Sequence, residues 1–171
     1  ATQAEVICGL LSPNVFPDAV LSDHPDRLRA LWVDSSNLVN TAADTARVLQ
    51  AMRALELVVV VDVAFTETAA QAHYVLPASS TYEKCEFTLF NFEVPTNYFH
   101  VRAPVLPPLP GTLPEPEIYG RLARALGLMP SDEVLAELAA STRAEIVQRI
   151  GHVALFYRAN PEQTKILLPD A

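Results

Sequence analysis

Glu56-Leu57-Val58-Val59-Val60-Val61-Asp62 is the stretch on which the fold turns. Its consecutive apolar residues, all β-branched after Leu57, suit a pleated strand buried on both faces, the pattern of a central strand in a parallel sheet. Acidic residues bound it at strand length, far short of the ~20 apolar residues that cross a bilayer. Upstream, Arg29-Ala30-Leu31-Trp32-Val33-Asp34 reads as a second strand, and Ser35 to Thr41 as a polar turn. Ala42 to Leu55 then reads as a helix. Thr41 is its expected N-cap and Asp44 stands at N3; Ala46, Leu49, Met52, Ala54 and Leu55 form the apolar face, with Arg47 and Arg53 turned away. Downstream, Thr66 to His73 reads as a short helix capped by Thr66, and Tyr74-Val75-Leu76-Pro77 as a third strand. Strand, helix, strand, helix, strand is the grammar of a parallel sheet with right-handed crossovers.

Farther out the signals change. Residues 5–8 suit a short strand closed by Gly9, and Pro13, Pro17 and Pro25 leave room for one helical turn near Asp18. Residues 85–114 carry Phe87, Phe90, Phe92, Tyr98 and Phe99, followed by a Pro-rich run ending at Pro116. That segment reads as an extended crossing element, because its aromatics need burial. Helices are expected over Glu117–Leu126, over Asp132–Ile150 with Ser131 as cap, and over His152–Ala159. The expected fold is α/β: an open, mostly parallel, Rossmann-like sheet lacking the GxGxxG fingerprint, with C-terminal helices. Residues 1–128 are read as one domain that includes the Pro-rich segment, and 129–171 as a helical extension packed on it.

Composition narrows the function classes. A net charge of -8 without a run of Lys or Arg argues against nucleic acid, which demands a basic footprint. Charged residues make up 19% of the chain, below the usual quarter or so, so part of the surface is expected to meet other protein. Cys8 and Cys85 are far apart and outside any Cys-x-x-Cys pair, which suits free thiols and leaves no zinc or iron–sulfur ligand set. His24, His73, His100 and His152 share no metal-ligand spacing, so no metal residues and no catalytic residues are assigned. The chain begins at Ala1 with no signal-like n-region, which reads as a trimmed piece of a cytoplasmic protein.

Chemistry in an open α/β sheet sits at the carboxyl ends of the strands, where the crossover direction reverses. Those ends carry Ser35-Ser36-Asn37 and Asp62. Short polar side chains and exposed N–H groups suit phosphates, and an aspartate suits ribose hydroxyls or a base edge. Asp62 equally suits a cap for the segment that follows it. The five glycines all fall outside Leu31 to Lys84, so neither the dinucleotide fingerprint nor a P-loop is present there.

Four blocks in register resemble the molybdopterin oxidoreductase family, which includes formate dehydrogenases, nitrate reductases and dimethyl sulfoxide reductase. They are Ala30 to Asn37, Val58 to Ala69, Ala72 to Ala78, and Glu83-Lys84, and the likeness extends roughly from Cys8 to Leu128. The resemblance implies a domain holding the guanosine end of a molybdopterin guanine dinucleotide within the catalytic subunit of an oxidoreductase. On that footing Ser36 or Asn37 lies at the phosphate or ribose edge. Asp62 meets the guanosine with Val63 and Thr66 beside it, and Lys84 reaches a phosphate or base, unless it pairs with Glu83 or Glu86. The parent's other domains, an electron-transfer subunit and an upstream iron–sulfur cluster are the implied associates, and this chain alone is expected to be redox-inactive. Departures are Leu38 where the family has Pro, Cys85-Glu86 where it has Gly, and Val94-Pro95 where it has Gly-Arg. Two alternatives stay open: a cofactor-less structural domain related to the large subunit of respiratory complex I, and a free-standing interaction domain.

Overall fold

The computed structural model describes residues 4, 10–88, 96–140 and 164–167. Its chain divides into two compact units, Ala1–Ser79 with Pro110–Glu115, and Ser80–Leu109 with Pro116–Ala171. The expected strand over residues 5–8, Phe90 and Phe92, and the expected helix over His152–Ala159 lie outside the described residues.

The first unit is built on three parallel strands, β1 (Ala30–Asp34), β2 (Leu57–Asp62) and β3 (Tyr74–Pro77), in the order β1-β2-β3. Register is set by pairs such as Val33 with Val60 and Val60 with Val75. Val58, Val60 and Val61 are completely buried, as the apolar run demands. Each such side chain contributes about 1.5–3 kcal/mol by leaving water. Because side chains alternate along a strand, Val33, Val58 and Val60 share one face. Val20 of α1 (Phe16–Leu21), Val39 of α2 (Leu38–Thr41), and Val48, Ala51 and Met52 of α3 (Thr45–Ala54) close over it, with Leu55 completing the cluster. The opposite face is less complete: Val59 and Val61 are buried, but their in-register neighbours Trp32 and Tyr74 are 40% and 64% exposed.

Local readings shift within this frame. α3 begins at Thr45, so its N-cap is Asp44, not Thr41; Asp44 adopts left-handed geometry (φ 58°) and its carboxylate accepts the Arg47 N–H at 3.1 Å. Thr41 instead ends α2, its hydroxyl donating to the Asn37 carbonyl at 3.0 Å. The buried face is therefore Val48, Ala51, Met52 and Leu55, and Ala46 and Ala54 are exposed. That i, i+3, i+4, i+7 stripe is the one the later helix start selects. Arg47 also pairs with Asp18 of α1.

The expected helix over Thr66–His73 is a single 3-10 turn, Ala69–Gln71. The chain must already be extended at Ala72 to enter β3. His73 holds that entry: its N–H donates to the Val58 carbonyl, and its Nδ1 accepts the Val58 N–H, both at 2.9 Å. The ring proton of neutral His73 therefore sits on Nε2. On the far side of β3, Leu113 forms a parallel bridge with Ala78, so residues near the Pro-rich run cover that edge.

In the second unit, the expected crossing segment is part of a sheet. β4 (Glu86–Phe87) pairs antiparallel with β5 (Asn97–Arg102), which pairs parallel with β6 (Thr164–Leu167). β6 lies in the stretch read as a helical extension. Its pairing partner is 67 positions away in sequence (Asn97 with Thr164), which no local pattern reveals. Phe87 is half exposed, contrary to the burial expected of the segment's aromatics. Glu83, buried, accepts the N–H groups of Ser80 (2.7 Å) and Leu109 (3.0 Å). Arg102 donates to the Thr81 carbonyl and lies 5.5 Å from the Tyr82 ring centre, within cation–π range. α4 (Glu115–Ala125) starts two residues earlier than expected, and α5 (Asp132–Ala139) follows with Ser131 at its start. Residues 141–150 of the expected second helix lie outside the described residues.

Candidate functional site

The carboxyl ends of β1 and β2 lie side by side, since Ser35 N–H donates to the Val61 carbonyl at 2.9 Å. Ser35 then turns through a left-handed conformation (φ 51°), its hydroxyl donating to Asp34 at 2.9 Å, and the chain swings into α2. This sharp exit leaves the N–H groups of Ser36 and Asn37 with no acceptor among the described residues. Consecutive bare N–H groups are suited to an anion.

Asp62 ends the neighbouring strand and is only 9% exposed. Its Oδ1 accepts the Ala64 N–H at 3.1 Å, a local turn bond, and the next helical turn, Ala69–Gln71, starts too far on for Asp62 to cap it. Its Oδ2 meets no donor among the described residues and is left for another group. Val63, 61% exposed, offers apolar surface. Thr66 shapes the loop: its hydroxyl oxygen accepts the Ala69 N–H at 3.2 Å and its own N–H donates to the Ala64 carbonyl at 3.0 Å.

Both ends of the Asn37 side chain are held. Its Nδ2 donates to Glu67 Oε2 at 2.7 Å, and its Oδ1 accepts the Thr68 hydroxyl at 2.9 Å. Thr68, completely buried, also accepts the Val39 N–H at 3.0 Å. Thr68 thus ties the loop after β1 to the loop after β2. The Asn37 amide holds the Glu67 carboxyl below its ordinary range, with help from Glu67's own backbone and slight opposition from desolvation. Glu67 and Thr68 are the residues that sequence reasoning did not single out. The bond from Thr68 to Asn37 spans 31 positions, and neither residue type signals it alone.

Ser36, Asn37, Asp62, Val63 and Thr66 all belong to the first unit. Lys84 belongs to the second unit, where its ammonium lies 3.5 Å from Glu86 on a side chain only 13% exposed. The expected pairing is therefore with Glu86, and Glu83 is occupied by backbone N–H groups instead. The described strands advance in one direction, so the expected reversal of crossovers is not found among them. No helix among the described residues is long and apolar enough to cross a membrane.

A family model described as molybdopterin oxidoreductase matches residues 7–122. The chain belongs to that family. Within it, the chain is 32% identical over 122 residues to the probable oxidoreductase YoaE of Bacillus subtilis (strain 168), covering 68% of this chain and 18% of that protein. Acetylene hydratase from Pelobacter acetylenicus matches in structure with a TM-score of 0.60 at 25% identity, over 68% of this chain and 16% of that one. The chain thus spans less than a fifth of either relative. The carboxyl ends of β1 and β2 thus present bare N–H groups, which suit an anion, beside a free carboxylate oxygen, which suits a hydrogen-bond donor.

Proposed function

We propose that this chain is the part of a molybdopterin-dependent oxidoreductase catalytic subunit that holds the guanosine end of a molybdopterin guanine dinucleotide. The observation that carries the reading is the juxtaposition, at the carboxyl ends of β1 and β2, of unengaged Ser36 and Asn37 N–H groups with the free oxygen of buried Asp62. Ser36 and Asn37 receive phosphate oxygens through the backbone. Asp62 accepts from the guanosine, and Thr66, Thr68 and the Asn37 side chain keep the two loops in place. When bound, the metal-bearing pterin supplies the redox chemistry, and these residues only bind and orient it. Electron-transfer partners and any iron–sulfur cluster belong, on this reading, to the rest of the parent.

Calorimetric titration of the chain with GDP tests this. Weak binding, in the high-micromolar to millimolar range, that Asp62→Asn weakens further is the expected result. Absence of binding removes the reading. One observation favours the cofactor-less alternative: Lys84 is already neutralised by Glu86. On that alternative GDP leaves the protein unchanged at any concentration, and Glu86→Gln does not create binding.

A further inference from the structure

We infer that Phe65 is the aromatic platform on which the guanine base stacks, an inference that rests on the nucleotide reading above. Among the large apolar side chains of the described residues, Phe65 is the most exposed, at 76%. Val63, 61% exposed, shares its loop but carries no ring. Trp32, Leu57 and Tyr74 lie along strands, and Leu126 and Leu128 follow the end of α4. Phe65 stands three residues beyond Asp62, in the loop leaving the carboxyl end of the central strand.

That loop is tied down on both sides of the ring. Asp62 Oδ1 holds the Ala64 N–H at 3.1 Å, the Ala64 carbonyl holds the Thr66 N–H at 3.0 Å, and Thr66 Oγ1 holds the Ala69 N–H at 3.2 Å. One residue further, Thr68 locks the same loop to Asn37. The backbone carrying Phe65 is thus constrained while its side chain is left in water. A phenyl ring buries on the order of 150–250 Å² when it finds a partner. A solvent-exposed aromatic on a constrained loop, three residues beyond a carboxylate with a free oxygen, suits a planar heterocycle that offers a π-face and a polar edge together.

The two contacts divide the work. Stacking is tolerant of base identity because every base has a π-face. Discrimination falls to Asp62, whose free oxygen accepts from the N1–H and exocyclic amine of guanine; adenine presents an acceptor at N1. The ring therefore supplies affinity, and the carboxylate supplies the choice of purine.

Titrations of the full chain with GDP, ADP and inorganic diphosphate, in the native protein and in variants, test the assignment. Phe65 is exposed, so its replacement leaves the fold intact. Phe65→Leu, which keeps bulk and removes the π-face, is expected to weaken GDP binding roughly tenfold. The Phe65→Trp, Trp32→Phe double variant is expected to bind GDP at least as well as the native chain, with its indole emission quenched by GDP and not by diphosphate. In the native chain GDP is expected to bind more tightly than ADP. Native-like GDP affinity in Phe65→Leu, or an unquenched indole in a double variant that binds GDP, overturns the stacking role and leaves the nucleotide reading standing. Failure of the native chain to bind GDP at millimolar concentration overturns both.

Discussion

The two units each hold a three-stranded sheet, and the two sheets are assembled by opposite routes. In the first, β1, β2 and β3 follow one another in the chain, and the helices between β1 and β2, joined by α1 from just before β1, cover one face. Its apolar cluster runs from Val20 to Ala69 without a contribution from a distant segment. In the second, β4 pairs with β5, and β6 arrives from far along the chain. Among the described residues of that unit, Ile118 is buried, Glu83 is tied to Ser80 and Leu109, and Arg102 to Thr81. Local connection lets a sheet be covered largely by its own crossovers, whereas distant pairing must wait for loop closure.

The sharpest way to break this contrast is Met52→Ala. Met52 is fully buried under the first sheet, so its truncation should lower that unit's stability by about 2–4 kcal/mol. Amide hydrogen exchange would show the Val58–Val61 amides accelerating, with those of β5 changing less. Equal acceleration in both sheets would mean that the units share one stability.

Thr68→Val is the next largest. It deletes the hydroxyl that receives the Val39 N–H and donates to Asn37, and should destabilise by about 1–3 kcal/mol because a buried N–H is left unmatched. Thr68→Ser should restore most of it. Urea unfolding would measure both, and GDP affinity should fall with Thr68→Val if the two loops form one site.

A pH series probes the second unit most gently. Hydrogen bonds from Ser80, chiefly, hold the Glu83 carboxyl below its ordinary value against an opposing desolvation. A depressed carboxyl stabilises the fold above its unfolded value, near 4.5, and loses that contribution as pH falls through the lower folded value. Protection of the Leu109 amide should therefore drop below about pH 4.5 in the native chain, and this acid step should be reduced in Glu83→Gln. Glu67 shifts the same way in the first unit, so Asn37 should loosen over the same acid range.

Much of the first unit is legible in the sequence because its signals are local. The apolar run Val58–Val61 announced a buried central strand, Tyr74–Pro77 ended at its proline, and Ser36, Asn37 and Asp62 could be placed at strand ends by position alone. Finer points were less so. Asp44 rather than Thr41 caps α3, since a left-handed cap depends on how α2 delivers the chain. The short segment before His73 had no room for a full helix once its end was committed to Val58.

At the candidate site the division is the same. Residue types and their order named the polar loop ends, but not that Asn37's amide is spent on Glu67 and Thr68 while its N–H is left open. The sequence by itself determined the parallel β1-β2-β3 sheet and the family to which the chain belongs, since strand periodicity and motif order are written along the chain. Only the tertiary structure decided the β4-β5-β6 sheet, the Thr68 latch and the exposure of Phe65. Each of these depends on groups distant in sequence meeting, or failing to meet, in space.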